Sequence, residues 1–157
     1  MLRQYEAGQV TVSWYDIDLS SGWAEDTFLT IEPLSAQVET TFGADGQMCP
    51  SKMSNKGATI TLTLQQTADA NKAIADRMQT QDEIGGIIPV APFKVVDEVG
   101  DSAHFVALNA ILTEKPGHSF GNTSGEKAWV WVCESYIETK DPATVTEALD
   151  KFLRGII

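Results

Sequence analysis

The sequence predicts a mainly β domain of the α+β kind: an antiparallel β-sandwich or barrel with one flanking α-helix over about residues 68–80 and a short C-terminal helix. Three observations predict it. Ala58, Ile60, Leu62 and Leu64 alternate strictly with Thr59, Thr61, Thr63 and Gln65, the period-two signature of a half-buried strand. Directly after this run the period lengthens, because Ala70, Ile74 and Met78 recur at helical spacing and Thr67 is placed to cap the helix start. Around this junction lie about seven or eight extended runs separated by turn residues, the pattern of a mostly antiparallel β protein.

Taken in order, Val10, Val12 and Trp14 alternate with Thr11, Ser13 and Tyr15 and predict the first strand. Ser20-Ser-Gly22 breaks the pattern, and residues 27–32 resume it until Pro33 interrupts. The run 36–42 sets Ala36, Val38, Thr40 and Phe42 on one face and Gln37, Glu39 and Thr41 on the other. Gly43-Ala-Asp-Gly46 signals a turn, and the aperiodic stretch 43–57 is expected to form a long loop with a job of its own, such as reaching a partner. Gly85-Gly86 ends the helix that follows.

Two prolines in the run 87–96 predict an edge strand, or a strand paired only over 93–96. A turn near 97–101 leads to 102–112, which is apolar on both faces and therefore central: Val106, Leu108, Ala110 and Leu112 on one, Phe105, Ala107 and Ile111 on the other. The last strand, 127–137, sets Trp129, Trp131, Cys133 and Ile137 against Ala128, Val130, Val132 and Tyr136. Val145, Leu149, Phe152 and Ile156 recur at helical spacing in the tail 144–157. Its apolar end, with Phe152, Leu153, Ile156 and Ile157, is expected to dock as an arm on its own domain or a neighbour.

The 157 residues suit one domain, 1–157. A formal charge of −11, from 11 basic and 22 acidic side chains, excludes phosphate-neutralising DNA binding as the main business of the surface. No apolar run is long enough to span a bilayer and no signal pattern opens the chain, so the expectation is a soluble protein, made in the cytoplasm, with no membrane partner. Cys49 and Cys133 lie far apart without a CxxC spacing, which suggests neither a disulfide framework nor a zinc site.

No pattern of residues specifies catalysis. His104 and His118 stand outside any nucleophile elbow or cysteine motif. The acidic turns at Asp16 and Asp18 and at Asp97, Glu98 and Asp101 lack the alternating oxygen ligands of a calcium loop, and Gly43 to Gly46 is no phosphate cradle. The expectation is no enzyme activity, no catalytic residue, no metal and no cofactor. Trp14, Trp23, Trp129 and Trp131 could stack on a sugar, and a monomeric or small-oligomer β-sandwich module binding carbohydrate or protein is the alternative reading. Three of the four lie on strands among core positions, which favours core or subunit contact.

One resemblance bears on function. Val12-Ser-Trp-Tyr-Asp16, Phe28-Leu-Thr-Ile31, Thr41-Phe-Gly-Ala-Asp-Gly46 and Gly57-Ala-Thr-Ile-Thr-Leu-Thr-Leu-Gln-Gln-Thr67, with Asn71 after it, resemble the tail tube proteins of long-tailed bacteriophages, especially those with contractile tails. The similarity runs roughly from residue 9 to 137. Ala68 departs from the serine that often follows the last threonine in that family.

The resemblance implies a structural virion protein, synthesised in the bacterial host's cytoplasm, with a fold similar to the type VI secretion tube protein. It implies hexameric rings of this chain stacked into a tube, with sheath, baseplate and tail terminator as partners, and genomic DNA passing through the lumen without sequence-specific binding. It further implies that the segment 43–57 reaches the adjacent ring, with Phe42, Gly43, Ala44, Asp45, Gly46, Met48, Lys52, Met53 and Asn55 as contacts. The polar series Gln37, Glu39 and Thr41, and Thr59, Thr61, Thr63 and Gln65, are the residues expected to face the lumen. Excess negative charge there would repel DNA phosphates.

Overall fold

The computed structural model describes residues 10–15, 17–25, 27–85, 88–97 and 104–139. The expected tail helix 144–157 with its arm, the turn 98–101 and the lead 1–9 lie outside them. Ten strands and one helix are present among the described residues, in the order β1 (Val10–Trp14), β2 (Ile17–Asp18), β3 (Leu29–Pro33), β4 (Val38–Phe42), β5 (Met48–Lys52), β6 (Ala58–Gln65), α1 (Asp69–Ile84), β7 (Val90–Asp97), β8 (His104–Glu114), β9 (Glu126–Cys133) and β10 (Ser135–Thr139). Eight strands form one antiparallel sheet in the order β2-β1-β7-β8-β9-β6-β3, with β10 also on β8. The fold is mainly β with one flanking helix.

The sheet curls. β1 and β9 are separated by β7 and β8, so they would lie roughly 14 Å apart in a flat sheet, yet the Trp14 and Trp131 rings meet edge to face with centroids 5.7 Å apart. Phe93 on β7 tilts against Trp131 at 5.1 Å, and the Trp14 indole N–H donates to the Ala110 carbonyl on β8 at 3.3 Å. The inward residues of β1 and β6 are the apolar ones their alternation predicts: Val12, Trp14, Ala58, Ile60, Leu62 and Leu64 are all fully buried. Ala70 and Ile74 of α1 close over them.

The start of α1 differs from expectation. Ala68 occupies the N-cap position without a side-chain bond, and Thr67 is exposed. Buried Asn71 does the fastening instead, its Nδ2 donating to the Gln65 carbonyl at 2.8 Å while its Oδ1 accepts the Trp129 indole N–H at 2.8 Å. Strand, helix and the neighbouring β9 are thus joined through one amide. Gly22, at φ +75°, allows the preceding turn to press on this junction, because a Cβ there would stand 2.4 Å from that of Ala68. The helix runs to Ile84, and Gly85 ends it by donating its N–H to the Gln81 carbonyl.

Three further expectations are corrected. β7 is not an edge strand, since β1 pairs along one side and β8 along the other. Its Pro92, which has no N–H, sits where the register shifts: Ala91 faces Ala110 and Phe93 faces Ala107, leaving Leu108 and Asn109 as the extra length on β8. Asn109 adopts φ +53°, a left-handed conformation asparagine tolerates, and the bulge exchanges the two faces of β8. Phe105 and Ala107 point into the core before it, and Ala110 and Leu112 after it, so Leu108 does not share their face.

The expected single strand 127–137 is two. Glu134 interrupts it, its N–H donating to the Leu108 carbonyl at 3.2 Å and its carboxylate accepting the Asn109 amide. β8 therefore pairs with β10 over one half and with β9 over the other. The break places Tyr136, rather than Ile137, against the core, stacked on Phe105 with centroids 5.4 Å apart.

Candidate assembly surfaces

The stretch expected to be a long loop contains a strand. β4 and β5 pair with each other as a separate two-stranded sheet, Phe42 opposite Met48 and Val38 opposite Lys52. Gly43 to Gly46 make the turn: the Gly46 N–H donates to the Gly43 carbonyl at 2.9 Å, Asp45 Oδ1 accepts the Gln47 N–H at 3.1 Å, and Gly46 takes φ +83°, as a hairpin turn of this kind requires. Ala44 lies in the same turn. Pro50 hid β5 from sequence reasoning, but an edge of a two-stranded sheet accommodates a residue without an N–H.

Every residue from 36 to 52 is exposed. Directly opposed residues share a face, so Val38, Thr40, Phe42, Met48, Pro50 and Lys52 form one side and Glu39, Thr41, Cys49 and Ser51 the other. Among the described residues the apolar side is left largely open: Phe42 is 68% exposed, Met48 57% and Val38 50%. Sequence alternation marked this face correctly as apolar, and the structure shows that it does not serve the chain's own core. The base is anchored. Asn55 Oδ1 accepts the Gly57 N–H at 3.0 Å, the Leu34 N–H donates to the Gly57 carbonyl at 3.0 Å, and the Met53 N–H donates to the Gln37 carbonyl at 2.9 Å.

The residues expected along a lumen are not brought together on one sheet. Gln37 flanks the hairpin whose polar side carries Glu39 and Thr41, whereas Thr59, Thr61, Thr63 and Gln65 belong to β6 of the large sheet. On β6 the threonines are half-buried on the face opposite the core. They stand beside Val132, Val130 and Ala128 of β9 in turn, with Glu32 and Thr30 of β3 across from Thr59 and Thr61. Among the described residues β3 forms the end of the sheet, so its outer edge offers backbone groups to a neighbour.

The tryptophans are not a ligand platform. Trp14 and Trp131 are fully buried and Trp129 nearly so. Trp23, half-buried, stacks on Phe28 at 4.1 Å and donates its N–H to the Leu19 carbonyl at 2.7 Å. Among the described residues no three histidine, cysteine or acidic side chains gather as a metal site. Burial pushes the Cys133 thiol above its ordinary range, as it does the Tyr15 phenol, against a smaller opposing effect of Arg77. Cys49 is an exposed free thiol and Cys133 a buried one. Among the described residues neither has a base or acid hydrogen-bonded to it, as an activated nucleophile would need; Cys133 Sγ donates to the Ala58 carbonyl at 3.6 Å.

Neither a protein-family profile nor a curated protein matches the chain. Solved structures do. The tube-terminating cap of the anti-feeding prophage matches with a TM-score of 0.56 at 12% identity, over 88% of this chain and 93% of that one. A chain of the sheath–tube complex of a PVC extracellular contractile injection system, in the extended state, matches with 0.54 at 13%, over 87% and 91%. The sheath/tube terminator of the same kind of system matches with 0.51 at 13%, over 83% and 93%. The chain therefore has a fold found in a tube-terminating cap, a sheath–tube complex and a sheath/tube terminator of such systems.

Proposed function

We propose that this chain is a structural subunit of a phage-type tail tube, assembling as hexameric rings that stack into a conduit for DNA, with no enzymatic role. The observation that carries the reading is the β4–β5 hairpin. A two-stranded sheet with an apolar face largely in solvent is a docking element awaiting a partner, and it occurs on a fold shared with components of contractile injection systems. In this reading Phe42, Met48 and Val38, with the turn 43–46 and Lys52, Met53 and Asn55 toward the base, contact the next ring. The free edge of β3 serves subunit pairing around the ring. The Thr59, Thr61, Thr63 surface lines the channel with small uncharged groups that give DNA no charge to grip. Sheath, baseplate and terminator are the partners of the finished tail, which is also its location, after synthesis in the host cytoplasm.

The likeness to a cap and a terminator supports a second reading, a single closing ring at the tube's end. Negative-stain microscopy of concentrated protein distinguishes the two. Stacked rings forming tubes are expected; single rings that never stack favour the terminator, and monomers under all conditions would sink both.

A further inference from the structure

The two flanks of α1 carry opposite charge. On one, a groove of about 570 Å³ runs between the helix and the segment after β8, with Lys72, Lys115 and Lys127 around it against the single acid Asp82. This gathers three cations in one place on a chain of net charge −11. The same segment presents Phe120, 87% exposed, on a loop held by Gln66. That side chain donates from Nε2 to the Ser119 carbonyl at 3.0 Å and accepts the Gly125 N–H on Oε1 at 2.9 Å, while the Gln66 N–H donates to the Gly125 carbonyl at 2.9 Å. An aromatic ring displayed on a pinned loop loses little freedom when it is buried.

On the other flank, a groove of about 520 Å³ has an apolar floor of Ile17, Ala70 and Ala73 and the acids Asp18, Asp69 and Asp76 around it. Its one cation, Arg77, lies over the Tyr15 ring at 4.7 Å. Lysines beside an exposed phenyl ring on one flank thus complement carboxylates around an apolar floor on the other.

We propose that these flanks are the two halves of one head-to-tail contact between copies of this chain, Lys72, Lys115 and Lys127 meeting Asp18, Asp69 and Asp76 while Phe120 seats on Ile17, Ala70 and Ala73. A contact between two different patches of the same chain repeats from copy to copy and closes into a ring when the rotation allows. Opposite charges align the approach and exclude the reversed orientation, in which acid would face acid. The inference rests on the tube-subunit reading and adds, beside the β3 edge, a second contact that joins subunits within a ring.

The test is charge exchange, read by sedimentation of the full chain over a range of concentrations. Lys72→Glu with Lys115→Glu alters one flank, and Asp69→Lys with Asp76→Lys the other; all four side chains are solvent-facing, and thermal melts confirm that each variant folds. Each variant alone should associate at least tenfold more weakly than wild type. Their equimolar mixture should recover association, because the exchanged flanks complement each other and the untouched flanks remain native. Phe120→Ala should weaken association without lowering the melting temperature. Undiminished association of either folded double variant, or a mixture that stays dissociated, overturns the inference while leaving the tube reading intact. Loss in the lysine variant alone assigns that groove to another acidic surface of this chain and overturns it equally. A wild type that sediments as a monomer at every concentration overturns both.

Discussion

Asn71 shows how much a single side chain fixes. Its amide holds the end of β6 and the Trp129 indole at once, so removing it strands the buried indole N–H, while the Gln65 carbonyl keeps the Ala68 N–H. Asn71→Ala should cost about 1–3 kcal/mol in urea unfolding, whereas Thr67→Ala, at the residue placed by sequence to cap the helix, should stay within roughly 0.5 kcal/mol. A loss at Thr67 near the ~1 kcal/mol of a true cap would refute this account of the helix start. The sequence shows Asn71 at the strand–helix junction but not its role, because the partner indole lies 58 residues away. The thiols separate just as sharply. Cys49 should react with an alkylating reagent in the native state and Cys133 should not, a contrast that mass spectrometry reads directly. Because burial raises the folded-state pKa of Cys133 above its ordinary 9.0, its contribution to stability is complete below that pH and declines as pH rises through the raised value. Tyr15, raised by burial from 10.0, adds a loss in the same direction at higher pH. In a Cys49→Ser variant the melting temperature should therefore fall as pH climbs beyond about 9; a flat profile would contradict the burial of these groups.

Elements were legible where one face meets the chain's own core. β1, β6 and the stripe of α1 follow from spacing alone, since alternation or helical recurrence is what burial against one surface demands. β8 was legible as a strand but not in its faces, whereas β9 was legible in both, with Trp129, Trp131 and Cys133 buried on one side, and only its continuation as β10 was misread: Asn109 and Glu134 each shift the phase, and nothing about an asparagine or a glutamate in a run of apolar residues announces a bulge. The β4–β5 hairpin lies between these cases, with the right alternation and a face that serves nothing within the subunit. That separateness has a measurable consequence. Replacing Val38–Lys52 with a two-residue Asn-Gly turn, which preserves the Met53 to Gln37 hydrogen bond, should shift the melting temperature by only a few degrees, as about 1 kcal/mol does in a domain of this size. Ring stacking should be abolished while single rings persist. If the excision unfolds the large sheet, the hairpin supports the core and its assignment as a docking element is wrong.

At the scale of the molecule, one curled sheet, closed by α1, builds a core around Trp14, Phe93 and Trp131, and this architecture was readable as a class before any coordinate. The candidate sites were less readable, because an assembly surface is defined by what another copy brings to it. Gln37, Glu39 and Thr41 matched the β6 threonines in polarity, yet they lie on a different sheet, a separation that pattern cannot express. The hairpin also bears on when assembly happens. Two strands without a supporting core are marginally stable in water, so a partner seated on the hairpin adds to the stability of the two strands themselves. In the proposed tube a complete ring end would offer every hairpin of an incoming ring its seat at once, whereas two free subunits would offer a single seat. For a subunit that stacks through this hairpin, growth on an existing end outpaces spontaneous initiation, so concentrated protein should form a few long tubes rather than many short ones.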